Sequence, residues 1–285
     1  MRIDAHQHFW RYNANRDRWI TDEMAALKKD FLPEHLIPEL QSSSIQGSIA
    51  VQTDQSEAET DFLLDLAARH EEIQGVVGWV DMCAGNVAER LERFARFPKL
   101  CGFRHIAQAE PNGFLLREDF LRGISCLGEF GFTYDVLIYE KQLPAAMELI
   151  SRFPDQLFVL DHIAKPLIRE RRYLPWGRFV KMLAGNPNVY CKISGLVTEA
   201  DWKQWRASEF NPYLDVVFEA FGVERLMFGS DWPVCLLAAG YKQVVELIAD
   251  YTRDLAPAER EKIFGLNAAH FYGQRAAHRA SRTRE

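Results

Sequence analysis

A chain of 285 residues, 48% of them apolar, holds enough material for one sizeable core and needs no second domain to explain its length. Its formal charge of −6 speaks against the basic face of a nucleic-acid binder, and no apolar run approaches the roughly twenty residues of a membrane helix. Cys83, Cys101, Cys126, Cys191 and Cys235 are odd in number, widely spaced and without Cys-x-x-Cys, which argues against a disulfide framework or a cysteine zinc site. No secretory pattern opens the chain, so the expected compartment is the cytoplasm.

The chain begins Met1-Arg2-Ile3-Asp4-Ala5-His6-Gln7-His8-Phe9-Trp10. On a strand, residues two apart point to one face, so His6 and His8 aim two imidazoles at one place. A metal, or a polarised carbonyl with its attacking water, suits that pairing. A surface strand with solvated histidines is the plainer reading. The stretch 11–41 follows. It is long and aromatic, with Trp19-Ile20-Thr21 and Phe31-Leu32-Pro33, and reads as a lid-like loop.

From there short β-rich runs alternate with segments of helical period. The runs are 2–8, 46–53, 75–81, 100–105, 131–138, 157–162, 188–194 and 225–231. Between them, Ser56-Glu57-Ala58-Glu59 is a capping box. Asn86 precedes Val87, Leu91 and Phe94 at helical spacing. Pro144 opens a helix through Phe153. Helices over 179–183, 213–221, 241–251 and 257–264 follow, and Asn267–Tyr272 reads as a terminal helix on the barrel's outside. Residues 274–285 read as a frayed tail. Eight strand–helix units predict an α/β fold, a single TIM-type (β/α)₈ barrel over residues 1–273. An open doubly wound sheet is the alternative, weakened by the lack of Gly-x-Gly-x-x-Gly after any strand.

Active sites of such barrels lie where the strands end. The run ends here are polar. They supply His6 and His8, then Gln52 and Asp54, Asp81, Arg104 and His105, Tyr134 and Asp135, Asp161 and His162 with Lys165 beyond, Lys192 and Ser194, and finally Ser230, Asp231 and Trp232. Each has a plainer role. Asp231 could cap the next helix. His162 could be a satisfied core histidine, with Asp161 orienting it or capping a helix. Lys165 and Lys192 could pair with Asp81 and Asp135.

His-x-His at the first run, His162 in Leu160-Asp161-His162 and Asp231 in Phe228-Gly229-Ser230-Asp231-Trp232-Pro233 together resemble the amidohydrolase superfamily, of the amidohydrolase 2 type. With Gly102-Phe103-Arg104-His105, the pattern is most similar to its sugar-lactone hydrolases, the L-fuconolactonase and L-rhamnonolactonase group. The resemblance implies a hydrolase that opens a sugar aldonolactone, L-fucono-1,5-lactone first among candidates, to the free acid. It implies Asp231 as general base and His6, His8 and His162 as its catalytic partners. Arg104, His105, Tyr134, Lys165, Trp19 and Trp232 are the candidate substrate contacts. The two-metal members carry a bridging lysine or glutamate on strand four and a histidine on strand five. This chain has Arg104-His105 and Tyr134-Asp135 there. One divalent ion on His6, His8, His162 and Asp231, zinc by ligand type, is compatible with the residues, and so is a metal-free site. A metal-dependent decarboxylase, a dicarboxylate lactonase and a non-catalytic sugar-binding barrel are the rival readings. The implied partner is a small sugar lactone, with no nucleic acid and no membrane.

Overall fold

The computed structural model describes residues 1–282, with side chains through Arg275. Eight strands alternate with helices. They are β1 (Ile3–Gln7), α1 (Pro33–Ser42), β2 (Gly47–Val51), α2 (Glu57–Arg69), β3 (Ile73–Gly78), α3 (Val87–Ala95), β4 (Leu100–His105) and α4 (Glu118–Phe130), then β5 (Thr133–Val136), α5 (Leu143–Arg152), β6 (Phe158–Leu160), α6 (Trp176–Ala184), β7 (Val189–Ile193), α7 (Asn211–Phe221), β8 (Leu226–Phe228) and α8 (Tyr241–Tyr251). Short α9 (Pro257–Glu261) and long α10 (Asn267–Arg282) finish the chain. The strands are parallel and neighbour one another in chain order. The ring shuts between β1 and the loop after β8. His8 N–H donates to Trp232 O at 2.7 Å and Asp231 N–H to His6 O at 2.8 Å. This is the expected (β/α)₈ barrel.

Local chemistry explains the elements. Ser56 Oγ accepts from Glu59 N–H at 3.2 Å and starts α2. The other half of the expected capping box is redirected, because the Glu59 carboxylate accepts from Thr53 instead. Gly131, at φ 67°, ends α4 in the left-handed conformation that glycine adopts without steric cost. Two apolar shells result. One lies between strands and helices, as where Phe94 of α3 meets Phe103 of β4. The other lies inside the ring, where Ile3, Ala5, Ile49, Val51, Val77, Val159 and Met227 pack with Phe271 and Tyr272 of α10.

That second shell corrects one expectation. The terminal helix does not lie on the outside of the barrel. Its Phe271 and Tyr272 plug the ring from below, under the inward-facing strand residues. Residues 274–282, expected in the frayed tail, continue α10. Buried Arg275 donates to the carbonyl of Phe97 at 2.6 Å. The rest of the expected tail, 283–285, lies outside the described residues. The stretch 11–41 also differs from a structureless loop, since it contains a 3-10 turn (Asp22–Leu27) and α1. Trp10 and Phe31 pin it by a pair of 2.9 Å backbone bonds. No described helix is long and apolar enough to cross a membrane.

Candidate active site

The C-terminal ends of β1, β6 and β8 bring the site together. The pairing of β1 shifts register between Asp4 and Gln7. Past this irregularity His6 and His8 both face the ring interior, their Nε2 atoms 3.2 Å apart. His162 and Asp231 follow β6 and β8 with φ of 52° and 57°. Left-handed backbone is costly outside glycine, and such strain concentrates at functional positions. Here it runs through four successive residues, His162, Ile163, Ala164 and Lys165. Gly195 accommodates the result, since a Cβ there would stand 2.7 Å from His162 Nδ1.

Hydrogen bonds fix which ring nitrogens hold lone pairs. His8 Nδ1 lies 2.7 Å from Val51 O. A carbonyl only accepts, so Nδ1 carries the proton and His8 Nε2 presents a lone pair. Arg104 only donates, and its Nη1 is 3.1 Å from His6 Nε2. That nitrogen too faces a donor with its lone pair, while His6 Nδ1 lies 3.3 Å from Asp161 Oδ1 and 3.1 Å from Lys192 Nζ. Asp231 Oδ1 completes the convergence, 3.3 Å from His8 Nε2, 3.9 Å from His6 Nε2 and 3.8 Å from His162 Nε2. Buried lone pairs that meet need a proton donor or a cation between them.

Burial sets the charge states. It pushes His6 and His8 below the ordinary histidine value and His162 down to about 3, so the rings are neutral at neutral pH. Burial alone would raise Asp231, but His162 and the hydrogen bond to His8 outweigh it and hold the carboxyl below its ordinary value. The neutral imidazoles and ionised carboxylate suit either a divalent ion or a water about to lose a proton. His6, His8 and Asp231 form one group whose donor atoms can share an ion. His6, Asp161 and His162 form a second. In that second group Asp161 is already faced by Arg104 at 2.9 Å and Lys192 at 3.0 Å.

Beneath this ring lies a charged floor. Lys192 Nζ sits 2.5 Å from Asp135 and 3.1 Å from His6 Nδ1. Tyr272 Oη reaches up from α10 and donates to Asp135 at 2.8 Å. Burial pushes Asp135 up to about 6, which leaves it charged at neutral pH. Burial would raise Asp161 too, but Lys192, His6 and Arg104 hold it well below its ordinary value. Asp135, Asp161 and Asp231 thus face two fixed cations, Arg104 and Lys192, leaving an excess of negative charge that a divalent ion fits.

The remaining sequence candidates scatter. Arg104 is buried and committed to Asp161, His6 and the carbonyl of Gln52. It does not stand free at the mouth. Tyr134 faces the helices, between Phe120 and Phe158, and its hydroxyl accepts from His105 N–H. His105 stacks on Phe114 at 4.6 Å and bonds Trp79 and Glu110. Trp232 packs edge-on against Phe9 and Phe31. Trp19, 41% exposed, packs on Trp10. The side chains of these four make their contacts away from the three imidazoles. Lys165 stays near the mouth, 3.9 Å from Glu199.

Sequence reasoning missed several partners. Ser194 Oγ, not Asp161, meets His162 Nδ1 at 2.9 Å. Tyr272 was hidden because a terminal helix shows no sign of which end of a barrel it closes. Glu199 sits in a short turn without periodicity. Only the polar close of the seventh run hinted at Ser194.

Imidazoles and an ionised carboxylate at the strand ends of a (β/α)₈ barrel are the parts of a water-activating barrel hydrolase. The chain belongs to the amidohydrolase family, whose model matches residues 3–274. It is 43% identical to the L-fucono-1,5-lactonase of Burkholderia multivorans, over 95% of this chain and 96% of that protein. It is 36% identical to the L-fucono-1,5-lactonase of Burkholderia ambifaria, over 95% of each. A crystal structure of a zinc-bound amidohydrolase from Burkholderia multivorans superposes with a TM-score of 0.92 at 43% identity, covering 96% of this chain and 99% of that one.

Proposed function

We propose that this protein hydrolyses a sugar aldonolactone, L-fucono-1,5-lactone first, to the free acid. One observation carries the chemistry. Asp231, ionised and buried at the mouth, lies within 4 Å of three neutral imidazoles. The similarity to the two Burkholderia lactonases supports the choice of substrate.

Asp231 takes a proton from water as the water oxygen bonds to the lactone carbonyl carbon. His162, fixed through Ser194, faces the developing oxyanion beside Asp231. The bond from carbonyl carbon to ring oxygen then breaks, and Asp231 returns its proton to the departing alkoxide. The product is an open hydroxy acid, with every atom of the water retained. His6, His8 and Asp231 are the residues to hold a divalent ion, zinc by their nitrogen and oxygen donors. When bound, such an ion supplies Lewis-acid polarisation of the carbonyl. Arg104 and Lys192 hold His6 and Asp161 in place from below. A dicarboxylate substrate would need free arginines at the mouth, and Arg104 is already committed. The five cysteines are unpaired, in keeping with a reducing cytoplasm.

The test is a pH-indicator screen of purified protein against sugar 1,5- and 1,4-lactones, with Asp231→Asn in parallel. Acid release by the wild-type protein and its collapse in the variant are expected. Near wild-type turnover in Asp231→Asn would remove Asp231 as base.

A further inference from the structure

One polar pair at the mouth takes no part in the bond-making steps above, and its Lys165 is a substrate-contact candidate of the sequence. Lys165 ends the left-handed turn, three residues after His162. Glu199 ends the short turn Val197–Glu199 after β7, five residues beyond Ser194, which holds His162. Lys165 Nζ and Glu199 Oε1 stand 3.9 Å apart, too far for a hydrogen bond. Their side chains are only 17% and 20% exposed. Among the described residues neither the ammonium nor the carboxylate makes a hydrogen bond. An ammonium offers three donors and a carboxylate about four lone-pair sites. The two groups are within ion-pair reach of each other, and their hydrogen-bonding capacity is left for solvent or a ligand. The Tyr139 ring, 38% exposed, lies 5.7 Å from Lys165 Nζ and walls the same place.

We propose that Lys165 and Glu199 together seat one hydroxyl of a polyhydroxylated lactone, the hydroxyl accepting from Lys165 and donating to Glu199. A hydroxyl both accepts and donates, so it completes both partners at once. A ring without it leaves both charged groups without that hydrogen-bonding partner, which is a basis for discrimination. This specificity role rests on the lactonase reading.

Kinetics on two substrates test it. L-fucono-1,5-lactone carries hydroxyls, and δ-valerolactone has the same ring size and none. For Glu199→Gln and Lys165→Met, KM for the sugar lactone should rise about 10- to 100-fold with kcat within about threefold. Turnover of δ-valerolactone, read as kcat/KM, should stay within about twofold. Glu199→Gln is nearly isosteric, and a thermal melt of each variant reports whether it folds. Lys165→Arg, which keeps the charge, covers a Lys165→Met that does not fold, and should retain most of the discrimination. Equal losses on both lactones, or an unchanged KM for the sugar lactone, would overturn the hydroxyl seat while leaving the lactonase reading intact. A wild-type protein that opens neither lactone would fail the lactonase reading, and the seat with it.

Discussion

The mouth and the floor of the barrel use the same kinds of residue to opposite ends. On the floor each charge meets its opposite: Lys192 faces Asp135 and Asp161, and Arg104 faces Asp161. At the mouth, His6 Nε2, His8 Nε2 and Asp231 Oδ1 aim electron pairs at one another. Paired charges in a low-dielectric interior hold a shape. Acceptors converging in one spot suit a proton donor or a cation placed between them. Residue type does not separate scaffold from chemistry here; what faces each group does, an opposite charge on the floor and another electron pair at the mouth.

The largest effect is expected at Asp231. Asp231→Asn should lower kcat by about 10² to 10⁴ with the fold retained, read by acid release and a thermal melt. Next comes the floor. Lys192→Met strips a buried cation from two carboxylates and should destabilise the protein by about 3–5 kcal/mol in urea unfolding. It also changes the pH response. Asp161 has a folded pKa depressed below the ordinary 3.8, so its stabilisation is present above that value and is lost only as pH falls through the lower folded one. Without Lys192 that loss should begin at higher pH, and an unchanged acid midpoint would show that Arg104 alone sets it. Smaller again, Ser194→Ala frees His162 and should cost about 10- to 100-fold in activity with little change in melting. An equal fall in stability would move Ser194 from the mouth to the scaffold. Smallest is Ser56→Ala, far from either region, which removes the α2 cap and should cost about 1 kcal/mol with activity unchanged.

Much of this was legible in the sequence, for physical reasons. All eight strands were marked by β-rich apolar runs, because a strand buried on both faces must be apolar throughout. His6 and His8 were legible because a period of two fixes their common face. What failed was whatever depends on tertiary contact. Gly123 and Gly128 interrupt the pattern of α4, which no helix signal announced, yet a Cβ at Gly123 would strike Met82 O at 2.1 Å, so packing demands the glycine there. Helix α1 lay concealed inside a segment read as loop. Arg104 was expected to reach outward for substrate, and only the fold shows Asp161 and Gln52 claiming it first. Tyr134 follows the alternation of its strand. Asp135 takes the inward face, so Tyr134 must take the other.

Asp231 is tied to His6 by main-chain atoms, its amide hydrogen resting on the His6 carbonyl across 225 positions of sequence. The first and last staves of the barrel must therefore touch for Asp231 to stand beside the histidines of the first. A chain without its final strand would lack both Asp231 and the partner against which β1 is held.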